Sequence, residues 1–262
     1  MAEMSRRILL KTGVGAAALP AAGVAASGQT AQGQTTGKPP EHSAGSASTK
    51  VVPRNEIPTV TYLFFNSEEA AFVEAAVARL IPADEEWGGA LEAGVPNYID
   101  KQLAGAWGAG ERLYRSGPWH PGTPGQGYQL PFTPAELFRM AIGALNKDLT
   151  RRGTTLAKMT PEQQDDFLRQ LESGTESLEG VPANVFFAQL WEVTLEGFFS
   201  DPVYGGNRDM LSWRMIGFPG AYASYYEVVD QHGIKIDRAP MSLGEDVHGH
   251  VHLQPAIPAT SP

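Results

Sequence analysis

The chain has 262 residues, 20 Lys and Arg against 29 Asp and Glu, a formal charge of −9 and no cysteine. Without a thiol it cannot hold covalent c-type haem, a cysteine-ligated iron–sulfur cluster, a zinc–thiolate site or a disulfide, nor use thiolate catalysis, and its acidic balance without Lys/Arg clusters excludes a nucleic-acid partner. The length allows one compact domain with appendages or at most two small ones, and the 49 Gly and Pro residues make it loop-rich without precluding a core.

The N-terminus reads Ser5-Arg6-Arg7-Ile8-Leu9-Leu10-Lys11 ahead of a mildly apolar stretch, Thr12 to Ala26, that is too short and too weakly apolar to span a bilayer stably. A basic segment, an apolar segment and the small residues Val24-Ala25-Ala26 in that order resemble a twin-arginine export signal over 1–26, departing from its usual pattern only at Leu9. Arg6 and Arg7 would be read by the twin-arginine translocase, and the mature chain would begin near Ser27 with 17 basic and 28 acidic groups, a charge of −11. That places it in the periplasm. Residues 27–59 are Gln, Thr, Gly, Ser, Ala and Pro with few large apolar side chains, and read as a disordered tether. The twin-arginine route carries folded proteins, typically with a cofactor already bound, yet this chain offers no cofactor motif. It therefore reads as the escort of a cofactor-bearing partner.

From Tyr62 onward the signals are helical. Asn66-Ser67-Glu68-Glu69 forms a capping box, followed at helical spacing by Phe72, Val73, Ala76, Val77 and Leu80 before Pro82. A second helix follows Val95-Pro96 and carries Tyr98, Ile99 and Leu103. Thr133-Pro134-Ala135-Glu136 is another capping box, with Leu137, Met140, Ala141, Ala144, Leu145 and Leu149 as its stripe. Thr160-Pro161-Glu162-Gln163 repeats the device, with Phe167, Leu168 and Leu171 buried and Gly174 as the stop. The helix from about Pro182 to Phe199 is apolar on most sides and should be central, with Trp191 and Phe198 filling the core. No segment alternates with period two, so a sizeable sheet is not expected. The fold class is all-α: an irregular helical domain over 60–228 with long connections at 82–94, 108–132 and 200–220, then an extended C-terminal tail, 229–262.

Candidate chemistry is sparse. Gly205-Gly206-Asn207 follows a helix and matches no phosphate-binding pattern, so the glycines read as turn residues. His248, His250 and His252 would share one face of an extended strand, but no fourth ligand accompanies them in the Pro-rich tail, which predicts incidental cation affinity and no metal centre. Asp84-Glu85-Glu86 reads as a solvated charge run, and Asp100, Glu192 and Glu196 as helix residues whose default is i,i+4 pairing or capping. Glu192 and Glu196 share a face of an otherwise apolar helix, which fits a buried polar site or interface hydrogen bonding equally well. No catalytic and no cofactor-binding residue is assigned.

The densest stretch runs Glu196-Gly197-Phe198-Phe199-Ser200-Asp201-Pro202-Val203-Tyr204-Gly205-Gly206-Asn207-Arg208-Asp209 and on to Trp213-Arg214-Met215-Ile216-Gly217-Phe218-Pro219-Gly220. With Ala78-Arg79-Leu80-Ile81-Pro82-Ala83-Asp84 and the segment Ala93 to Leu103, it resembles the small, third subunit of membrane-associated gluconate 2-dehydrogenase over Phe65 to Tyr222. The resemblance implies a helical subunit without a cofactor of its own, which supports export and maturation of an FAD-bearing flavoprotein of the glucose–methanol–choline type. A multihaem cytochrome c subunit often accompanies the pair, so the complex sits peripherally on the inner membrane. Related small subunits serve several sugar dehydrogenases, and the substrate is not legible. Beyond the resemblance, aromatics and Arg concentrated after a helix-breaking Pro point to a partner surface at Tyr204, Asn207, Arg208, Asp209, Trp213, Arg214 and Phe218. The competing reading is a stand-alone exported helical protein that uses the Glu192/Glu196 helix and the 200–220 loop as a site of its own, with metal at the C-terminal histidines His248, His250 and His252.

Overall fold

Asn66 opens the first helix with its side chain, whose Oδ1 accepts the backbone N–H groups of Glu68 and Glu69 at 3.0 and 2.9 Å, while Glu69 returns the bond to the Asn66 N–H. The computed structural model describes residues 61–120, 122–123, 129–174 and 176–244. Among them are six α-helices: α1 (Ser67–Leu80), α2 (Val95–Ala104), α3 (Pro134–Arg151), α4 (Pro161–Ser173), α5 (Ala183–Phe199) and α6 (Leu211–Ile216). Arg6 and Arg7 of the expected export signal, the segment 27–59 and the histidines at 248, 250 and 252 lie outside the described residues.

The capping boxes expected at Thr133 and Thr160 form, each with Pro at the start of its helix, and a mostly helical domain results. Among the described residues the strands amount to one hairpin, Ser177–Leu178 paired antiparallel with Val181–Pro182. Its two-residue turn places both Glu179 and Gly180 at positive φ, as the twist of a tight hairpin requires. α5 packs against α1, α2, α3, α4 and α6, so its all-round apolar sequence does put it at the centre. Phe186, Leu190, Val193 and Phe198 are buried along it, next to Phe72 of α1 and Phe138 of α3.

Three expectations need correction. Trp191 is only half-buried, and so are Phe187, Leu195 and Phe199 on the same flank of α5. The α3 stripe is rotated: Phe138 and Ile142 are buried, whereas Met140 and Ala144 are only partly so. Asp100 neither pairs along its helix nor caps it. It is 1% exposed, and its carboxylate accepts the N–H groups of Leu63, Phe64 and Phe65 at 2.7, 2.9 and 2.9 Å, tying the bent lead-in of α1 to α2. A carboxylate holding three backbone donors is satisfied although buried. Arg139 of α3 clamps the same lead-in, with its guanidinium 4.1 Å above the Phe64 ring and its Nη1 2.6 Å from Glu69 Oε2.

The connection at 82–94 is a built turn. Asp84 Oδ1 accepts the N–H groups of Glu86 and Trp87 at 2.9 and 2.6 Å, and Ala90 donates its N–H to the Ile81 carbonyl at 2.8 Å. The acidic side chains themselves face solvent, as a charge run should.

Candidate functional site

α5 stops where its sequence demands it, because Pro202 has no N–H to continue the ladder and Asp201 instead accepts the Val203 N–H on its side chain at 3.0 Å. A 3-10 turn (Pro202–Tyr204) ends at Gly205 in the left-handed conformation, φ 96°. The chain then presses back onto α5, with Asn207 donating its N–H to the Gly197 carbonyl at 2.9 Å. Glycine at 206 is required by that approach, since a Cβ there would stand 2.1 Å from the Gly197 oxygen.

Asn207 is the inner brace of this corner. It is 0% exposed; its Nδ2 donates to the Ser200 carbonyl at 2.8 Å and its Oδ1 accepts from Ser212 N–H and Oγ–H at 2.9 and 2.8 Å. Two further bonds fasten the corner to the α2 region: Arg208 N–H to the Ala93 carbonyl at 2.9 Å and Asn97 Nδ2 to the Gly205 carbonyl at 2.9 Å. Asn207, Asp209 and Met210 all lie in the left-handed region, φ 43°, 55° and 54°. Such residues cost roughly 1–3 kcal/mol each and persist where surrounding bonds over-determine them; Asn and Asp tolerate the region best, so Met210 is the most strained. Trp213 is buried at the start of the return, donating Nε1–H to the Phe199 carbonyl at 2.9 Å, and Phe218 stacks edge-on against it at 5.1 Å.

The seven residues expected to face a partner thus divide. Asn207 and Trp213 point into this chain and shape the corner from within, whereas Tyr204 (52% exposed) and Phe218 (43%) stand out together with Asp209 and Arg214. Arg208 is half-buried, its Nε 3.8 Å from Asp209 Oδ2. Ile216, 54% exposed at the end of α6, joins the outer surface. Its signal was available in the sequence: a bulky apolar residue directly before the Gly217 that ends a short helix.

The Glu192/Glu196 face is not a buried site. Both residues are exposed on α5. Glu196 Oε2 accepts the Tyr98 hydroxyl at 3.3 Å, and Glu192 accepts from Gln189 on its own helix at 3.1 Å. Although Glu196 is exposed as a residue, its carboxyl lies against Tyr98 and loses hydration there; that, and then the charge of Glu192, push its pKa up. Burial first and the Glu196 charge second raise the Tyr98 phenol to about 12. This is a surface carboxylate with a neutral phenol donor, without a nucleophile or a cleft.

Among the described residues no group of three or more His, Asp or Glu side chains is placed to hold a metal ion, and no helix is long and apolar enough to cross a membrane. A recess of about 150 Å³ lined by Arg112, Tyr114, Arg115, Trp119 and Phe132 is smaller than the roughly 300–1,000 Å³ that a drug-sized ligand or cofactor fills. The corner at 201–220 is a densely bonded, strained turn with aromatic and Arg side chains outside and polar braces within. No curated protein and no solved structure matches the chain. The sequence profile of gluconate 2-dehydrogenase subunit 3 matches residues 67–220, from the first residue of α1 to the glycine that closes this corner, and the chain belongs to that family.

Proposed function

We propose that this chain is the non-catalytic small subunit of a periplasmic, FAD-dependent gluconate 2-dehydrogenase-like complex, where it supports twin-arginine export, maturation and assembly of a flavoprotein subunit of the glucose–methanol–choline type. The family match carries the reading, since it makes partner dehydrogenase subunits the expected company of this chain and it ends on the corner best suited to meet one. The corner's outer side chains, Tyr204, Arg214 and Phe218, are the residue types that anchor interfaces, and they stand on a brace rigid enough to present them. FAD belongs to the flavoprotein in this reading, and haem c to a third subunit that links the complex to the membrane. The export role rests on Arg6 and Arg7.

The test is co-expression with a glucose–methanol–choline-type flavoprotein from the same source, comparing the native chain with Arg6→Lys/Arg7→Lys. The translocase receptor reads the guanidinium pair and not charge alone, so both proteins should remain in the cytoplasm in the double variant. Undiminished periplasmic dehydrogenase activity would refute the export role.

A further inference from the structure

The chain does not leave the domain after the corner. Past Gly220 it makes an excursion whose neck is closed by Tyr222, which donates its hydroxyl to the Ala239 carbonyl at 2.8 Å while the Arg238 guanidinium lies 5.0 Å above its ring. The returning segment then runs beside the end of the corner: Met241 donates its N–H to the Pro219 carbonyl at 3.2 Å and accepts the Ala221 N–H at 2.8 Å, a parallel bridge between Gly220 and Met241. Gly220 has φ 81°, and a Cβ there would sit 2.2 Å from the Met241 oxygen, so the contact demands glycine.

The next residues reach the corner's other end. Ser242 donates its hydroxyl to Asp201 Oδ1 at 2.6 Å, Leu243 donates its N–H to Asp201 Oδ2 at 2.8 Å, and Ser242 Oγ in turn accepts the Gly244 N–H at 3.1 Å. Asp201 and Ser242 are both buried, and both carboxylate oxygens of Asp201 are occupied, Oδ1 also by Val203 N–H. One six-residue segment, 239–244, therefore grips the first residue of the corner and the last.

We propose that residues 239–244 are a latch that holds the strained 201–220 corner in its presenting conformation. The corner keeps three non-glycine residues in the left-handed region, and such a turn persists only when its surroundings over-determine it. Pinning both ends of a loop removes the conformations that would relax it. The latch lies beyond the residues that the family profile matches, 67–220. Tyr204, Arg214 and Phe218 sit between the two pinned ends, and on the reading that they meet a flavoprotein the latch prepares them for it. The latch itself concerns the corner's own stability and does not depend on that reading.

Amide hydrogen exchange on the purified chain tests it without any partner. A chain ending at Gly244 should match the full-length protein. A chain ending at Arg238 should exchange about tenfold or more faster at Val203, Asn207, Met210 and Phe218, with the amides of α1 and α3 within about twofold of the full-length chain, since the opening is local. Ser242→Ala in the full-length protein should show the same pattern at about tenfold, having lost one bond to a charged acceptor. Unchanged exchange at the corner in the chain ending at Arg238, or a uniform loss of protection across all helices in Ser242→Ala, would overturn the latch. Retention of the flavoprotein is scored separately: normal exchange with no capture refutes the partner reading and leaves the latch standing.

Discussion

Asn207 offers the sharpest test of the corner, because three effects act at one buried side chain and three substitutions separate them. Asn207→Ala removes the bonds to Ser200 and Ser212, leaving the Ser200 carbonyl and the Ser212 N–H buried without those partners, at about 1–3 kcal/mol each; the Ser212 hydroxyl can rotate elsewhere. Alanine at φ 43° adds about 1–2 kcal/mol that asparagine largely avoids. The expected loss is about 3–8 kcal/mol, a large share of the roughly 5–15 kcal/mol that holds a domain together. Asn207→Gly loses the same bonds without the left-handed penalty and should be about 1 kcal/mol more stable than the Ala variant. Asn207→Asp puts an acceptor 2.8 Å from the Ser200 carbonyl in place of a donor and buries a charge. Its carboxyl pKa in the fold should rise above the unfolded value of about 3.9, so the Asp variant is most stable below that pH and loses stability as pH rises through the folded pKa. Urea unfolding followed by tryptophan fluorescence and far-ultraviolet dichroism measures all three. An Ala variant within about 1 kcal/mol of the native chain, or a Gly variant no better than Ala, would refute the assignment of Asn207 as the brace.

Trp213→Ala should cost about 3–5 kcal/mol, as for a buried indole that also donates a hydrogen bond, whereas Tyr204→Ala and Arg214→Ala should leave the melting temperature unchanged and lose the co-purifying flavoprotein; full capture by the exposed variants would move the interface elsewhere. Arg208→Ala separates two roles, since loss of flavoprotein at an unchanged melting temperature marks a partner contact and a lowered melting temperature marks an internal one. The raised pKa of Glu196 means that the fold favours its protonated form, a contribution complete below the unfolded carboxyl pKa and lost as pH rises through the folded one. Glu196→Gln should therefore stabilise the protein at neutral pH and lose that advantage on acidification, as measured by thermal unfolding across pH 3 to 8 (roughly the span of carboxyl titration). The mature chain purified alone should show no flavin or haem absorbance and reduce no dye with any sugar, and stoichiometric bound flavin would contradict its assignment as an accessory subunit.

What could be read in advance was local. The helices at Asn66, Thr133 and Thr160 announce themselves through capping boxes four residues long followed by apolar periodicity, and these involve neighbours in sequence. Asp100 was opaque for the opposite reason: its partners, Leu63, Phe64 and Phe65, are 35 to 37 residues away, and nothing within one helical turn distinguishes it from a surface aspartate. Asn207 has the residue type of an exposed turn, and its burial follows from Gly206 meeting Gly197 across the end of α5, a contact that no spacing encodes. The aromatic composition after Pro202 could not tell Trp213, which faces inward, from Phe218, which stacks on it from outside. The bond from Ser242 to Asp201 spans 41 residues and was equally invisible.

A division of labour follows from this geometry. The corner's polar braces, Asp201 and Asn207, are buried and bond within their own chain, whereas Tyr204, Arg214 and Phe218 are exposed. Ordering a flexible side chain at an interface costs about 0.5–1.5 kcal/mol, and a ring already stacked on a buried indole, as Phe218 is on Trp213, has lost part of that freedom before any partner arrives. Strain at Met210 is therefore coupled to presentation: the left-handed turn aims α6 and the residues after it, and its cost is offset by bonds from α2, α5 and the latch. Substitutions inside the brace should consequently weaken capture of a partner in proportion to the stability they remove, while substitutions on the outer face should weaken capture at constant stability. That contrast identifies which residues touch the partner without a structure of the complex, and a set of outer-face variants whose capture instead tracked their melting temperatures would place the contact surface away from this corner.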